Sequence, residues 1–267
     1  MAAFAGQVVV VTGASEGIGR AFCRALAPQQ PRLVLAARNV ERLQSLAAEC
    51  RGLGAETLAV PTDVTDESSC RALVEAAVAA FGGIDVLVNN AGGTMWTRLD
   101  EIRDPSIFEQ LMRLNYLGSV YPTYHALPHL KRSRGRIVGV SSVACLIGVP
   151  TRTGYSAAKH AVIGFFDSLR VELDGTGVSV TLICPDFVVS EIHKRALGPD
   201  GRPLGDNPMQ GSRIMTAEEC ARLMIDAIAR RKRLLVTSGR GKLARWLQVL
   251  RPQLLDRMAA RAIREKK

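Results

Sequence analysis

The fold class that this sequence predicts is α/β: three layers, doubly wound around a parallel sheet. Three observations predict it. Short runs of aliphatic residues alternate with longer amphipathic stretches along most of the chain. The first run, residues 7–11, leads into a turn with glycines at 13, 17 and 19, and then into a helical stretch. The chain has 267 residues, 47% of them hydrophobic, enough for one large core without disulfide or metal staples.

The elements follow in order. Residues 7–11 are a buried strand, since four consecutive valines suit a sheet covered on both faces. Residues 20–27 form the first helix, and 33–37 the second strand. A helix over 41–52, a strand over 57–60 and a helix over 68–81 come next, the last stopped by Gly82 and Gly83. Residues 84–88 are the fourth strand. Asp104 and Pro105 open one helix running towards Leu127, and 137–140 are the fifth strand. A long helix over 155–173 precedes the sixth strand, 178–183. Thr216 and Glu219 form a capping box that opens a helix to Arg230, and 234–237 are a last short strand. Residues 190–215 are polar and rich in glycine and proline, which predicts a mobile cover over a binding cleft. His193 lies in this loop and either contacts substrate or, the favoured reading, is a solvated histidine. Residues 1–241 form a single domain. Residues 242–267 form a basic, amphipathic helical tail that Pro252 divides in two.

Charge and cysteine usage narrow the function. Net charge is +10, much of it from the last forty residues, but aromatics are only 5% and no nucleic-acid motif is present. Nucleic acid is therefore not the expected partner. The tail carries Leu243, Trp246, Leu247, Leu250, Leu254 and Met258 at helical spacing among arginines. Such a helix pair either packs on the core or a subunit, or rests on an anionic membrane. The six cysteines, at 23, 50, 70, 145, 184 and 220, show no C-x-x-C pair, and no histidine cluster accompanies them. They read as reduced core residues, with no metal site. The N-terminus has no positively charged leader, so a cytoplasmic protein is expected.

The chemistry concentrates at a few positions. Tyr155 and Lys159 stand four residues apart on one helix face. An ammonium beside a phenol favours the phenolate, so the Tyr155 pKa is expected to fall, suiting it to acid–base work. Ser142 lies thirteen residues upstream, at the end of a strand. The glycine turn lets backbone approach a pyrophosphate, with the following helix N-terminus supplying free N–H groups. At the end of the second strand Arg38 replaces the acidic residue that would hold a ribose 2′-hydroxyl. Its guanidinium suits a 2′-phosphate, which argues for NADP over NAD. Asp63 either accepts from an adenine amino group or caps the next helix. Asn89, Asn90, Ala91 and Gly92 make a small-residue turn that admits a flat ligand. Asn115 is an amide among Leu111, Leu114 and Leu117.

Together these motifs resemble the short-chain dehydrogenase/reductase family over nearly the whole chain. The resemblance implies a seven-stranded Rossmann sheet without a separate substrate domain. It implies a catalytic tetrad of Asn115, Ser142, Tyr155 and Lys159. Ser142 would hydrogen-bond the substrate oxygen, and Tyr155 would transfer its proton. Lys159 would tune the phenol and hold the nicotinamide ribose, and Asn115 would hold a relay water. It also implies cofactor contacts at Gly13, Ser15, Gly17, Ile18 and Gly19, and at Arg38, Asp63 and Val64. Further contacts fall at Asn89, Ala91 and Gly92, and at Pro185, Val188 and Ser190. NADP(H) is the implied cofactor, NAD(H) the alternative. A homodimer or homotetramer through the helices of Asn115 and Tyr155 is also implied.

Some positions depart from the family pattern. Asp186 stands where a glycine usually follows Pro185, close to the expected nicotinamide. Ser190 replaces a common threonine, and Glu16 occupies a position that is basic in one NADP-preferring subset. The expected activity is interconversion of an apolar secondary alcohol and ketone, lipid- or steroid-like. Residues 115–122 and Asp186 resemble 3-ketodihydrosphingosine reductases, and hydroxysteroid dehydrogenases are also similar. A non-catalytic NADP-binding sensor or scaffold, and an epimerase or dehydratase, are the rival readings.

Overall fold

The computed structural model describes residues 3–189, 191–206 and 214–264. Seven parallel strands lie in the order β3-β2-β1-β4-β5-β6-β7. They are β1 (Val8–Thr12), β2 (Arg32–Ala37), β3 (Glu56–Pro61), β4 (Val86–Asn89), β5 (Arg136–Val140), β6 (Ser179–Cys184) and β7 (Leu234–Val236). The order reverses between β1 and β4, which opens a crevice beyond their C-terminal ends.

Side chains alternate across each strand, so β1 feeds both faces. Val9 and Val11 pack with α1 (Gly17–Leu26), α2 (Val40–Gly52) and α7 (Ala217–Ala229). Val8 and Val10 face α3 (Glu67–Phe81), α5 (Gly118–Ser133) and α6 (Thr153–Glu172). This two-sided burial is why the strands read as unbroken apolar runs. All six cysteines are free and buried.

Two elements differ from the sequence expectation. The helix expected from Asp104 to Leu127 is interrupted. It runs as α4 (Ser106–Met112), a π turn over Arg113–Leu117, and α5. The wide turn coincides with Asn115, whose amide donates to the carbonyls of Leu111 and Gly93 at 3.0 and 3.1 Å. A side chain inserted among backbone groups is a recognised cause of such a widening. The tail also starts earlier than residue 242. α8 (Gly239–Leu250) is capped by Ser238, and Pro252 opens α9 (Pro252–Arg264) as expected.

Candidate active site

The glycine turn is built by close contact. Gly13 has φ +64°, and a Cβ there would lie 2.8 Å from Ala91 Cα. A Cβ on Gly19 would lie 2.3 Å from the Gly13 carbonyl oxygen. Only glycine permits this packing. Thr12 Oγ1 accepts from the N–H groups of Asn90 and Ala91 at 3.0 and 3.1 Å. Asn90 Nδ2 in turn donates to the carbonyls of Thr12 and Gly13. The turn after β1 and the turn after β4 are thus one unit.

That unit fits a dinucleotide. Helix α1 begins at Gly17, and the Glu16 side chain makes no cap hydrogen bond. The N–H groups of Gly17, Ile18 and Gly19 lie in the first turn of α1, where they have no intrahelical partner, as an anionic pyrophosphate requires. Ser15 lines the groove beside them with Arg20 and Arg42. Arg38 is exposed at the end of β2, with no ion-pair partner among the described residues. Glu16 forms ion pairs with Arg42 and with Arg195 of the loop over the cleft, so its charge is compensated.

Other expected cofactor residues are placed variously. Asp63 Oδ1 accepts from Thr65 N and Oγ1, while Asp66 caps α3; the capping alternative for Asp63 does not hold. Val64 packs on Gly118, where a Cβ would approach it to 2.8 Å. The Asn89 side chain is turned into the core, donating to Thr123 Oγ1 at 2.9 Å, rather than into the crevice. The Pro185 carbonyl accepts from Val143 N at 2.9 Å, and Val188 is buried. Ser190 and residues 207–213 lie outside the described residues.

The four candidate catalytic residues converge at the ends of β4 and β5. Gly139 brings α6 tight against β5: a Cβ there would lie 2.5 Å from the Phe166 ring. At this spacing Lys159 Nζ reaches the Val140 carbonyl at 3.0 Å, and Ser141 Oγ donates to the Lys159 carbonyl at 3.1 Å. Ser142 follows, its hydroxyl accepting from Ala144 N. Asn115 and Lys159 meet across Gly92, where a Cβ would lie 2.7 Å from Asn115 Oδ1 and 3.3 Å from Lys159 Nζ. Tyr155 and Lys159 are both buried, at 7% and 5% exposure.

Burial reverses one expectation. It pushes the Tyr155 phenol above its ordinary value, while the Ser142 hydroxyl and the Arg152 charge oppose the rise. Lys159 does not pull the phenol down, because its ammonium is directed at the Val140 carbonyl. Burial lowers the Lys159 pKa to about 8. Desolvation is the largest cause of both shifts.

One further expectation is corrected, and one open position is explained. His193 is buried, not solvated, with its ring nearly perpendicular to that of Trp96 and tilted to that of Phe187. Burial and the Arg152 charge hold its pKa down. Asp186 is engaged by α8. Its carboxylate accepts from Arg240 and Ser238, which joins the end of β6 to α8 and holds its pKa low despite burial.

The residues that sequence reasoning missed lie around the substrate side. Trp96 and Leu197 exchange backbone contacts between the 94–97 segment and the covering loop. Arg152 stacks at 4.4 Å from the Trp96 ring centre and 5.5 Å from that of Phe187. An arginine immediately before the Tyr155 helix was the available signal.

Comparisons with known proteins agree with this fold. The short chain dehydrogenase family model matches residues 7–198. The chain is 40% identical over 235 residues to human dehydrogenase/reductase SDR family member 7, covering 84% of this chain and 67% of that protein. It is 34% identical over 258 residues to 11-beta-hydroxysteroid dehydrogenase A of Sesamum indicum, covering 94% and 74%. A Burkholderia phymatum short-chain dehydrogenase/reductase solved in complex with NAD superposes with TM-score 0.83 at 30% identity, covering 95% of this chain and 96% of that one. An alcohol dehydrogenase from Thermococcus sibiricus complexed with 5-hydroxy-NADP superposes with TM-score 0.73 at 26% identity, covering 86% and 95%. With the sheet order, the glycine turn and the Ser142, Tyr155 and Lys159 set in place, the chain belongs to the short-chain dehydrogenase/reductase family of oxidoreductases.

Proposed function

We propose that the protein interconverts a secondary alcohol and a ketone, with an apolar body around the reacting carbon, using NADP(H). The observation that carries this reading is the convergence of Ser142, Tyr155, Lys159 and Asn115 where the β4 and β5 turns meet. When bound, the nicotinamide supplies or takes up the hydride. The protein's residues orient the substrate oxygen and move its proton. The Tyr155 phenol, interacting with the Ser142 hydroxyl, holds the proton that a carbonyl oxygen would take up, and burial, by raising its pKa, works against that transfer. Ser142 holds that oxygen by a second hydrogen bond. Lys159, near neutrality in its titration, supplies the next proton.

Arg38 supports NADP(H) over NAD(H). It is a guanidinium at the end of β2 with no ion-pair partner among the described residues, and Glu16 is already neutralised by Arg42 and Arg195. Exposed Tyr124 on α5 and Val171 on α6 support pairing of subunits through those helices. The tail supports contact with an anionic membrane. Trp246, Val249 and Leu250 are 66%, 74% and 69% exposed, with Arg245 and Arg251 beside them. No helix among the described residues is long and apolar enough to cross a membrane.

The test is NADPH consumption, with NADH in parallel, over ketosphinganine, steroid ketones, 3-oxoacyl thioesters and aryl ketones. Turnover of an apolar ketone with NADPH supports the reading. Dinucleotide binding without turnover of any carbonyl, in either direction, contradicts it.

A further inference from the structure

Arg152 carries a charge that no carboxylate neutralises among the described residues. It is only 5% exposed. Nη1 donates to Thr94 Oγ1 at 3.1 Å, and Nη2 is buried without a hydrogen-bond partner. The residue is also the N-cap of α6, where the helix dipole is unfavourable to a cation and favourable to an anion. Burial lowers its pKa, with the Tyr155 phenol opposing the shift.

Three aromatic rings surround the guanidinium. Its carbon lies 4.4 Å from the Trp96 ring centre, 5.5 Å from that of Phe187 and 5.9 Å from that of Tyr155. Cation–π contacts offset only part of the cost of desolvating an arginine. Yet the fold holds this group against the proton donor, beneath the covering loop. Leu197 N in that loop donates to the Thr94 carbonyl, and Leu197 O accepts from Trp96 N. An arginine fork with an unused donor, in an aromatic enclosure, suits a planar anion with an apolar body.

We propose that Arg152 anchors a carboxylate of the substrate, so that the alcohol or ketone turned over at Tyr155 bears an acid group within reach of Arg152. This rests on the oxidoreductase reading and narrows its substrate class to apolar hydroxy or keto acids. The carboxylate supplies the missing counter-charge and accepts from Nη2. Trp96 and Phe187 flank the chain that joins it to the reacting carbon.

The alternative is that Arg152 is only a strut holding Thr94 and Trp96 against α6. Titration calorimetry on the protein saturated with NADP+ separates the two. The ligands are aryl keto acids with one to four methylenes between carbonyl and carboxylate, each paired with its primary amide. The expected result is that at least one acid binds about tenfold or more tightly than its amide. In Arg152→Gln that ratio falls to about one, and in Arg152→Lys it recovers in part. Acid and amide binding equally to the native protein, or no acid binding at all, overturns the proposal. So does a ratio that survives in Arg152→Gln, as a strut would give. Cofactor affinity, measured in the same series, locates a failure. A protein that binds dinucleotide but not the acids refutes the anchor alone, whereas one that binds neither NADP+ nor NAD+ refutes the reading beneath it as well.

Discussion

Lys159 Nζ lies 5.8 Å from the centre of the Tyr155 ring and donates to the Val140 carbonyl at 3.0 Å. The ammonium is thus anchored to the sheet behind Ser142 rather than drawn onto the phenol. Its pKa is about 8 in the folded chain against an ordinary 10.5. Between those values the unfolded chain binds more protons, so this group makes stability rise with pH from about 8 to about 10.5. Below pH 8 the buried charge is a standing cost. Lys159→Met should therefore stabilise the protein at pH 7 by roughly 1–2 kcal/mol after the lost Val140 hydrogen bond is counted. The gain should shrink as pH approaches 10, while turnover is lost at every pH. Thermal melts of both proteins at pH 7 and pH 9.5 check this. A variant less stable at pH 7 than at pH 9.5, relative to the native chain, would refute the argument.

Arg38 should decide the cofactor. Arg38→Ser is expected to weaken NADPH binding by about tenfold or more, the range of a charged hydrogen bond, with NADH affinity nearly unchanged. Fluorescence titration of both reduced cofactors reads it out. Equal losses for the two would remove the 2′-phosphate role.

Gly139 and Gly164 make a contrasting pair. A Cβ on Gly139 meets the buried Phe166 ring at 2.5 Å, so Gly139→Ala should cost about 1–3 kcal/mol and lower kcat by shifting α6. Gly164, exposed in the middle of α6, has open space around it, and Gly164→Ala should stabilise by about 0.5–1 kcal/mol. Denaturant unfolding of the two variants should give opposite signs. The same sign for both would show that the α6–β5 spacing is softer than argued.

Much of this architecture was legible because its signals are short-range. Four valines followed by glycines at 13, 17 and 19 specify strand, turn and helix within a dozen residues. Tyr155 and Lys159 share a face by helix spacing alone, and Ser142 marks a strand end. The parts that were not legible depend on distant partners. The Asp186 carboxylate meets Arg240, 54 residues later, so its role was invisible locally. His193 reads as a loop residue until Trp96 and Phe187 close around it. Helix spacing predicts that a cation and a phenol are near each other, but not that both are buried, and burial sets the sign of the Tyr155 shift. The π turn at Asn115 depends on Gly93, a partner on another segment.

The tail should bind anionic vesicles. In flotation with phosphatidylserine-containing liposomes, removal of residues 242–267, or Trp246→Ser with Leu250→Ser, should abolish recovery with the vesicles. High salt should weaken it, since arginines supply part of the attraction. Recovery unchanged by truncation would end the membrane role.

The most direct measurement is on Tyr155→Phe. It removes one oxygen from a buried ring and leaves the glycine turn untouched. Ketone reduction should fall by about 10²–10⁴-fold, while the Kd for NADPH stays within about threefold of the native value. A variant that retains turnover within tenfold of native would contradict the assignment of the substrate proton to that phenol.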